Sequence, residues 1–236
     1  MDNINLTKHI SGQFNADLED VRNRMMTMGG LVEQQLEYSL NALVNNDPEL
    51  AEKVIDNERV VNGMEVTIDE DCSRIIAKRQ PAASDLRLIL SIMKSVTELE
   101  RIADSAERIA KTALNKDARA QRGMIVSLDN MGRQSLKMLN QTLDALARMD
   151  AEAALAIHKQ DNAIDLEYEA MVRQLMTFMM EDPRSIPNVL EVLWAARALE
   201  RVGDRCQNIT ENIIYFVKGK DVRHASYEDI ERHVDL

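Results

Sequence analysis

Apolar residues recur along this chain at steps of three and four, and the steps are sustained over many turns. Leu18, Val21, Met25, Met28, Val32, Leu36 and Leu40 form the first run, which is the spacing of one buried helix face and predicts a helix over residues 14 to 44. Asp47-Pro48 comes next, as an N-cap with proline at the first helical position. It opens a second run through Leu50, Val54, Val61, Met64, Ile68, Cys72 and Ile75, ending near residue 78. Gln80-Pro81 breaks the pattern, and Ser84 is the expected N-cap of a third helix reaching residue 114. The polar stretch 115 to 123 reads as a linker. The same plan then returns, with helices over 125 to 149, 151 to 181 and 189 to 218, a break at 182 to 187, and Gly219 as the last C-terminal cap. The polar tail, 220 to 236, reads as a short helix or a disordered segment.

The return is a repeat. ELERIADSAERIAKT at 98 to 112 is answered by ALERVGDRCQNITEN at 198 to 212. The expected fold is therefore all-α: two tandem antiparallel three-helix bundles, six long helices in total, set end to end and related by a pseudo-twofold axis. The division falls at 1 to 118 and 119 to 236. In each third helix an inward stripe is expected, through Leu86, Leu90, Met93, Val96, Leu99, Ala103, Ala106 and Ala110, and through Leu190, Leu193, Ala196, Leu199, Gly203, Cys206 and Ile213.

Composition supports the helical reading. Of 236 residues 45% are apolar but only 3% aromatic, and glycine (8) and proline (4) are too few for a turn-rich β protein. No run of about 18 apolar residues occurs and the first residues lack an apolar signal stretch, so a soluble cytoplasmic chain without membrane insertion is expected. The net charge of −11 argues against nucleic acid as the main partner. Cys72 and Cys206 sit inside helical patterns and read as reduced core thiols. The 14 methionines, Met176, Met179 and Met180 among them, read as core filling ahead of an adaptable binding surface.

The repeated segment carries the candidate chemistry. Glu100 and Asp104 answer to Glu200 and Asp204, and an i, i+4 carboxylate pair lies on one helix face. At 100° per residue these pairs flank the core stripes and stand outside them. They are either hard-metal ligands, since carboxylate oxygens suit magnesium, calcium, manganese and iron, or a solvated acidic flank neutralised by Arg101, Arg108, Arg201 and Arg205. His9, His158, His224 and His233 lack Glu-x-x-His spacing, read as surface or capping residues, and disfavour a di-iron oxidase. Lys78, Arg79 and Arg87 form either a docking patch or a stabilising cationic helix end. No catalytic constellation stands out.

With these residues on view, the chain resembles the PhoU family. The resemblance rests on His9-Ile10-Ser11 with Phe14-Asn15, on Ile75-Ile76-Ala77-Lys78-Arg79-Gln80-Pro81 running into Ser84-Asp85-Leu86-Arg87, and on the doubled Glu-x-x-x-Asp segments. It implies a non-enzymatic cytoplasmic regulator that links the ATPase subunit of a phosphate ABC transporter to a sensor histidine kinase and represses the phosphate-starvation response. It also implies a homodimer and metal ions (iron, zinc, manganese or magnesium) at Glu100, Asp104, Glu200 and Asp204. A second acidic pair, in the middle helix of each half, falls on Asp161 and Asp165 and, less well, on Glu58 and Asn62, where Asn62 replaces a carboxylate. A metal-dependent enzyme or a metal-storage protein on a helical scaffold is the alternative.

Overall fold

The computed structural model describes residues 12–115 and 122–234. His9, Ile10, Ser11 and most of the expected linker lie outside the described residues. The elements are α1 (Gly12–Asn45), α2 (Pro48–Arg79), α3 (Ala83–Leu114), α4 (Arg122–Arg148), α5 (Ala151–His158), α6 (Asp161–Glu181), a 3-10 turn (Pro183–Ser185), α7 (Ile186–Lys218) and α8 (Tyr227–Val234). No strand occurs among the described residues.

Equivalent local chemistry closes the first helix of each repeat and opens the second. Asn46 (φ 53°) and Met149 (φ 51°) adopt the left-handed conformation that ends a helix. The next residue's N–H then reaches back, Asp47 to the Ala42 carbonyl (2.9 Å) and Asp150 to the Ala145 carbonyl (3.0 Å). The same aspartates cap the second helix: Asp47 Oδ1 accepts from the Leu50 N–H (3.0 Å) and Asp150 Oδ1 from the Ala153 N–H (2.9 Å). Each aspartate thus satisfies an orphan donor at a helix start.

Several boundaries differ from expectation. The predicted helix over 151 to 181 is two, α5 and α6, because the Gln160 N–H pairs with the Ile157 carbonyl (2.8 Å) in a tightened turn. Lys159 and Gln160 stay right-handed (φ −73° and −70°), and without glycine or proline the turn leaves no mark on the sequence. Ser84 is not an N-cap; α3 starts from Ala82, which has no side-chain cap bond. Pro187 belongs to the first turn of α7, where its missing N–H costs nothing, so the helix starts earlier than 189. The tail is partly helical in α8, whose Ile230 and Val234 are buried.

The two bundles lie side by side, not end to end. The most extensive helix pair in the molecule is α3 with α7, and it is antiparallel. Ser91 Oγ donates to the Asn212 carbonyl (3.2 Å), Asn208 Nδ2 to Glu98 Oε2 (3.2 Å), and Arg108 faces Glu191 (3.4 Å). Because α3 is covered by α1, α2 and α7, its buried arc is wider than one stripe: Leu88, Ile89, Ile92, Ser95, Val96, Leu99, Ile102 and Ala103 are all inside. Leu86, Leu90 and Met93 fall to its half-buried edge, and Leu190 on α7 is 38% exposed. Met25 and Met28 are core, but Met176 and Met180 stand out at 57% and 76% exposure.

The second contact between the halves joins α1 to α4 through two glycine sockets. A Cβ added at Gly29 would lie 2.6 Å from Leu143 Cδ2, and one added at Gly132 would run into the Leu40 side chain. Gly29 and Leu40 correspond to Gly132 and Leu143 in the repeat, so the contact is made twice by equivalent residues. Gly29→Ala and Gly132→Ala should each cost about 1–3 kcal/mol by overpacking, read as a lower urea midpoint at unchanged slope. Leu143→Ala introduced with Gly29→Ala should recover part of that loss. Neutral single variants would show that the halves merely abut. Asp150→Ala should cost about 1 kcal/mol through the lost cap.

Candidate metal centres

The doubled motif reaches its surroundings through α3 and α7, and in each repeat the middle helix supplies the facing carboxylates. In the second repeat Asp161 and Asp165 of α6 meet Glu200 and Asp204 of α7. Asp161 is buried and its carboxyl is pushed up to about 7, first by burial and then by Asp165, Asp204 and Glu200, with His158 opposing. Burial and the neighbouring acids also raise Asp165, against Arg197. Glu200 is only 7% exposed, so of the two alternatives the solvated flank does not describe it. Its carboxyl is raised by burial and Asp204 while Arg197 holds it down. The reason for its burial is that α6 packs over the flank of α7.

Gly203 makes the approach of Asp161 feasible. A Cβ at this position would strike Asp161 Oδ1, with Ile164 Cδ1 also only 3.2 Å away. The first repeat has Ala103 at the corresponding place.

The first cluster is built differently. Glu100 and Asp104 of α3 face Glu58 and Glu65 of α2. The Glu100 carboxyl is pushed up to about 7 by burial, then by Asp104, Glu65 and Glu58, against Arg101. Asp104 reaches the surface, yet partial desolvation and then Glu58 and Glu107 raise its carboxyl against Lys111. Asn62 donates from Nδ2 to Glu58 Oε1, so the residue replacing a carboxylate ties up its neighbour. Sequence reasoning missed Glu65; its place seven residues after Glu58, two helical turns on the same face, was the available signal.

None of the four arginines expected to neutralise the acidic pairs makes an ion pair with them among the described residues. Arg101 and Arg205 pair with Glu98 (2.9 and 3.4 Å) and Arg108 with Glu191 (3.4 Å). Arg101 comes one residue after Glu100, about 100° round the helix, so it acts on Glu100 only at a distance and makes its ion pair with Glu98. The cation on Glu200 is instead Arg197, which also stacks over the Tyr168 ring (5.6 Å).

Carboxylate oxygens are the donors hard cations take, and in the second cluster Asp161 Oδ1 and Glu200 Oε2 are buried without a hydrogen-bond partner. That donor set fits a metal ion. Among the described residues no three His, Cys, Asp or Glu side chains are drawn into a ready cage; Arg197 holds Glu200, and in the first repeat Asn62 holds Glu58.

The other candidates lie away from these clusters or beside them. Cys72 and Cys206 are free, buried thiols, each pushed up to about 12, chiefly by burial. His158 is half-buried beside Glu211 (3.5 Å), His224 is exposed and His233 half-buried. Lys78 and Arg79 border a cleft of about 500 Å³ with Asp17, Asp20, Asp71 and Arg74, where Arg79 pairs with Asp17 (3.2 Å). Arg87 is not part of that corner: it packs against Gly219 at the end of α7. The corner is thus mixed in charge rather than uniformly basic.

A carboxyl raised on folding contributes stability below its ordinary value, and that contribution disappears as pH rises through the folded value. Metal-free protein in EDTA should therefore lose stability from the ordinary aspartate value of 3.8 up to about 7. Asp161→Asn should flatten this fall and leave the variant more stable than the parent above pH 7. Urea midpoints over that range decide; an unchanged slope would remove Asp161 from the account.

The comparisons agree with this architecture. The PhoU domain family model matches residues 25–113 and 128–213, one match in each repeat. The chain is 56% identical over 232 residues to the phosphate-specific transport system accessory protein PhoU of Serratia marcescens, and 55% identical to that of Escherichia coli (strain K12), in both cases covering 98% of this chain and 96% of the relative. The crystal structure of PhoU from Pseudomonas aeruginosa superimposes with a TM-score of 0.85 at 50% identity, covering 88% of this chain and 100% of that one. The phosphate transport system regulatory protein PhoU from Streptococcus pneumoniae gives 0.81 at 33% identity, covering 89% and 99%. Two equivalent bundles, each matched by the same domain and together aligned over 96% of these relatives, make this chain a member of the PhoU family.

Proposed function

We propose that this chain is a cytoplasmic, non-enzymatic regulator of phosphate uptake, which couples the ATPase subunit of a phosphate ABC transporter to a sensor histidine kinase and represses the starvation response when phosphate is plentiful. The observation that carries the reading is similarity over 98% of the chain to proteins named as accessory to phosphate-specific transport. A regulator of this kind acts by binding, as a homodimer in this reading. Among the described residues no helix is long and apolar enough to cross a membrane.

Metal belongs to the same proposal. Asp161, Asp165, Glu200 and Asp204 would hold one hard cation, and Glu100 and Asp104 with Glu58 and Glu65 a weaker one. A bound cation supplies positive charge where the chain has gathered carboxylates, and so ties α6 to α7 and α2 to α3. Lys78 and Arg79 are the proposed docking corner, without Arg87. Since α2 ends there, with Gln80 left-handed (φ 48°) ahead of Pro81, both side chains project from a helix end.

Deletion of the protein should leave phosphate-starvation genes expressed in phosphate-rich medium, and the tagged chain should retain both the ATPase subunit and the kinase's cytoplasmic region. Failure to retain either partner while repression is intact would remove the adaptor reading. Glu200→Ala with Asp204→Ala should lower bound metal without loss of helicity; unchanged metal content by elemental analysis would remove the second cluster as its site. Lys78→Glu with Arg79→Glu should weaken partner binding, more at low salt where exposed charges are least screened. Binding as tight as the parent's would clear the corner of a docking role.

A further inference from the structure

Along the α3–α7 pair, bordering the carboxylates at Asp104, runs a groove of about 450 Å³, lined by Arg101, Ser105, Arg108, Trp194, Ala198 and Arg201, with Arg197, Arg205 and Asp104 completing its walls. Five arginines thus face one carboxylate on a chain whose net charge is −11. Arg197, Arg201 and Arg205 recur at four-residue steps on one face of α7. The antiparallel crossing brings Arg101 of α3 alongside, so Arg101 and its repeat counterpart Arg201 lie on either side of the pseudo-twofold axis. Ala198 and Ser105 are small and leave the floor open.

Two properties distinguish this groove from a stripe of solvated charge. The guanidinium groups are anchored: Glu98, 9% exposed, accepts from Arg101 and also pairs with Arg205, while Glu191 pairs with Arg108 and buried Glu200 with Arg197. A guanidinium has five N–H donors, so an edge tied to a carboxylate beneath leaves donors for an anion above. Arg201 is exposed and has no ion-pair partner among the described residues. The second property is Trp194, the only tryptophan in the chain, 52% exposed at the groove wall with the Arg108 guanidinium 5.8 Å from its ring centroid. An open indole beside fixed guanidiniums is a stacking surface next to a phosphate clamp.

We propose that this groove binds a nucleoside di- or triphosphate, with the base stacked on Trp194 and the phosphates held by Arg101, Arg201 and Arg205. Trp194 and Arg201 are two turns apart on α7, about 10 Å along the axis, the reach of a ribose and its phosphates. The groove has the size of a small-ligand site. A second copy of this chain is disfavoured there, because twofold pairing would set arginines against arginines. The groove borders the metal clusters, sharing Asp104 with the first and touching Glu200 of the second through Arg197, and it does not depend on the adaptor reading.

The sole tryptophan supplies the probe. In EDTA and near-physiological salt, ATP should quench Trp194 fluorescence saturably. Inorganic tripolyphosphate should displace ATP without the same quench, and adenosine should do neither. Arg201→Ala should weaken ATP binding about tenfold or more, the loss expected for charged hydrogen bonds, while thermal unfolding stays as in the parent. Trp194→Leu, followed by calorimetry, should weaken ATP and leave tripolyphosphate unchanged. The proposal is overturned if no saturable quench appears in EDTA, or if Arg201→Ala binds ATP like the parent. It is equally overturned if binding requires magnesium and is lost in Asp161→Asn, which places the nucleotide on the carboxylates. Displacement by polyglutamate as effective as by tripolyphosphate would assign the groove to an acidic protein segment instead.

Discussion

The antiparallel packing of α3 against α7 is the contact on which the rest of the molecule depends. These two helices are the only ones that carry the repeated Leu-Glu-Arg segment, and each also packs against the other helices of its own bundle. With both stripes enclosed, a short sequence repeated once fixes three neighbouring surfaces. One is the hydrophobic seam through Leu99 and Leu199, both fully buried. The second is a carboxylate face turned toward α2 or α6. The third is an arginine face along the line where the two helices cross.

Charge is sorted on these helices by single-residue offsets. Glu and Arg are adjacent in sequence, and about 100° of rotation per residue sends them to different sides of the helix. Burial first and then neighbouring acids raise Glu100 and Asp161 to about 7, while the arginines gather along the other side, four of them tied to Glu98, Glu191 or Glu200. Charge separation of this kind opposes folding and is tolerated because the hydrophobic seam dominates; burial of each large apolar side chain contributes about 1.5–3 kcal/mol. The repeats do not share the strain equally. Gly203 admits Asp161 against α7, whereas Ala103 has a methyl group there and Glu58 is bound by Asn62.

Much of this was legible in the sequence because helical period and capping are local. The α1 stripe from Leu18 to Leu40 is buried throughout, Asp47-Pro48 caps α2 as expected, and a 100-residue offset relates α3 to α7. What escaped was set by tertiary packing. Side-by-side pairing widened the buried arc of α3 beyond one stripe and enclosed Glu200. The turn before Asp161 left no mark because its residues stay right-handed. In the candidate site, the four paired carboxylates of the second repeat were identifiable from spacing and resemblance, but Glu65, Arg197 and the groove were not. Arg197, Arg201 and Arg205 could have been read as a basic stripe at i, i+4 and i+8; the part of α3 in making it a groove could not.

The glycine sockets have a further consequence. Gly29 receives Leu143 and Gly132 receives Leu40, so the same surface on each half meets its own near-copy, which is the geometry of an isologous dimer interface. The chain is in effect a dimer made covalent, with the connection through residues 116–121 holding the two subunits at a high effective concentration. A half released from that connection would present an interface complementary to itself. Either repeat expressed alone is thus a building block for symmetric pairing, and a chain opened at the connection has a ready route to exchanging halves with its neighbour.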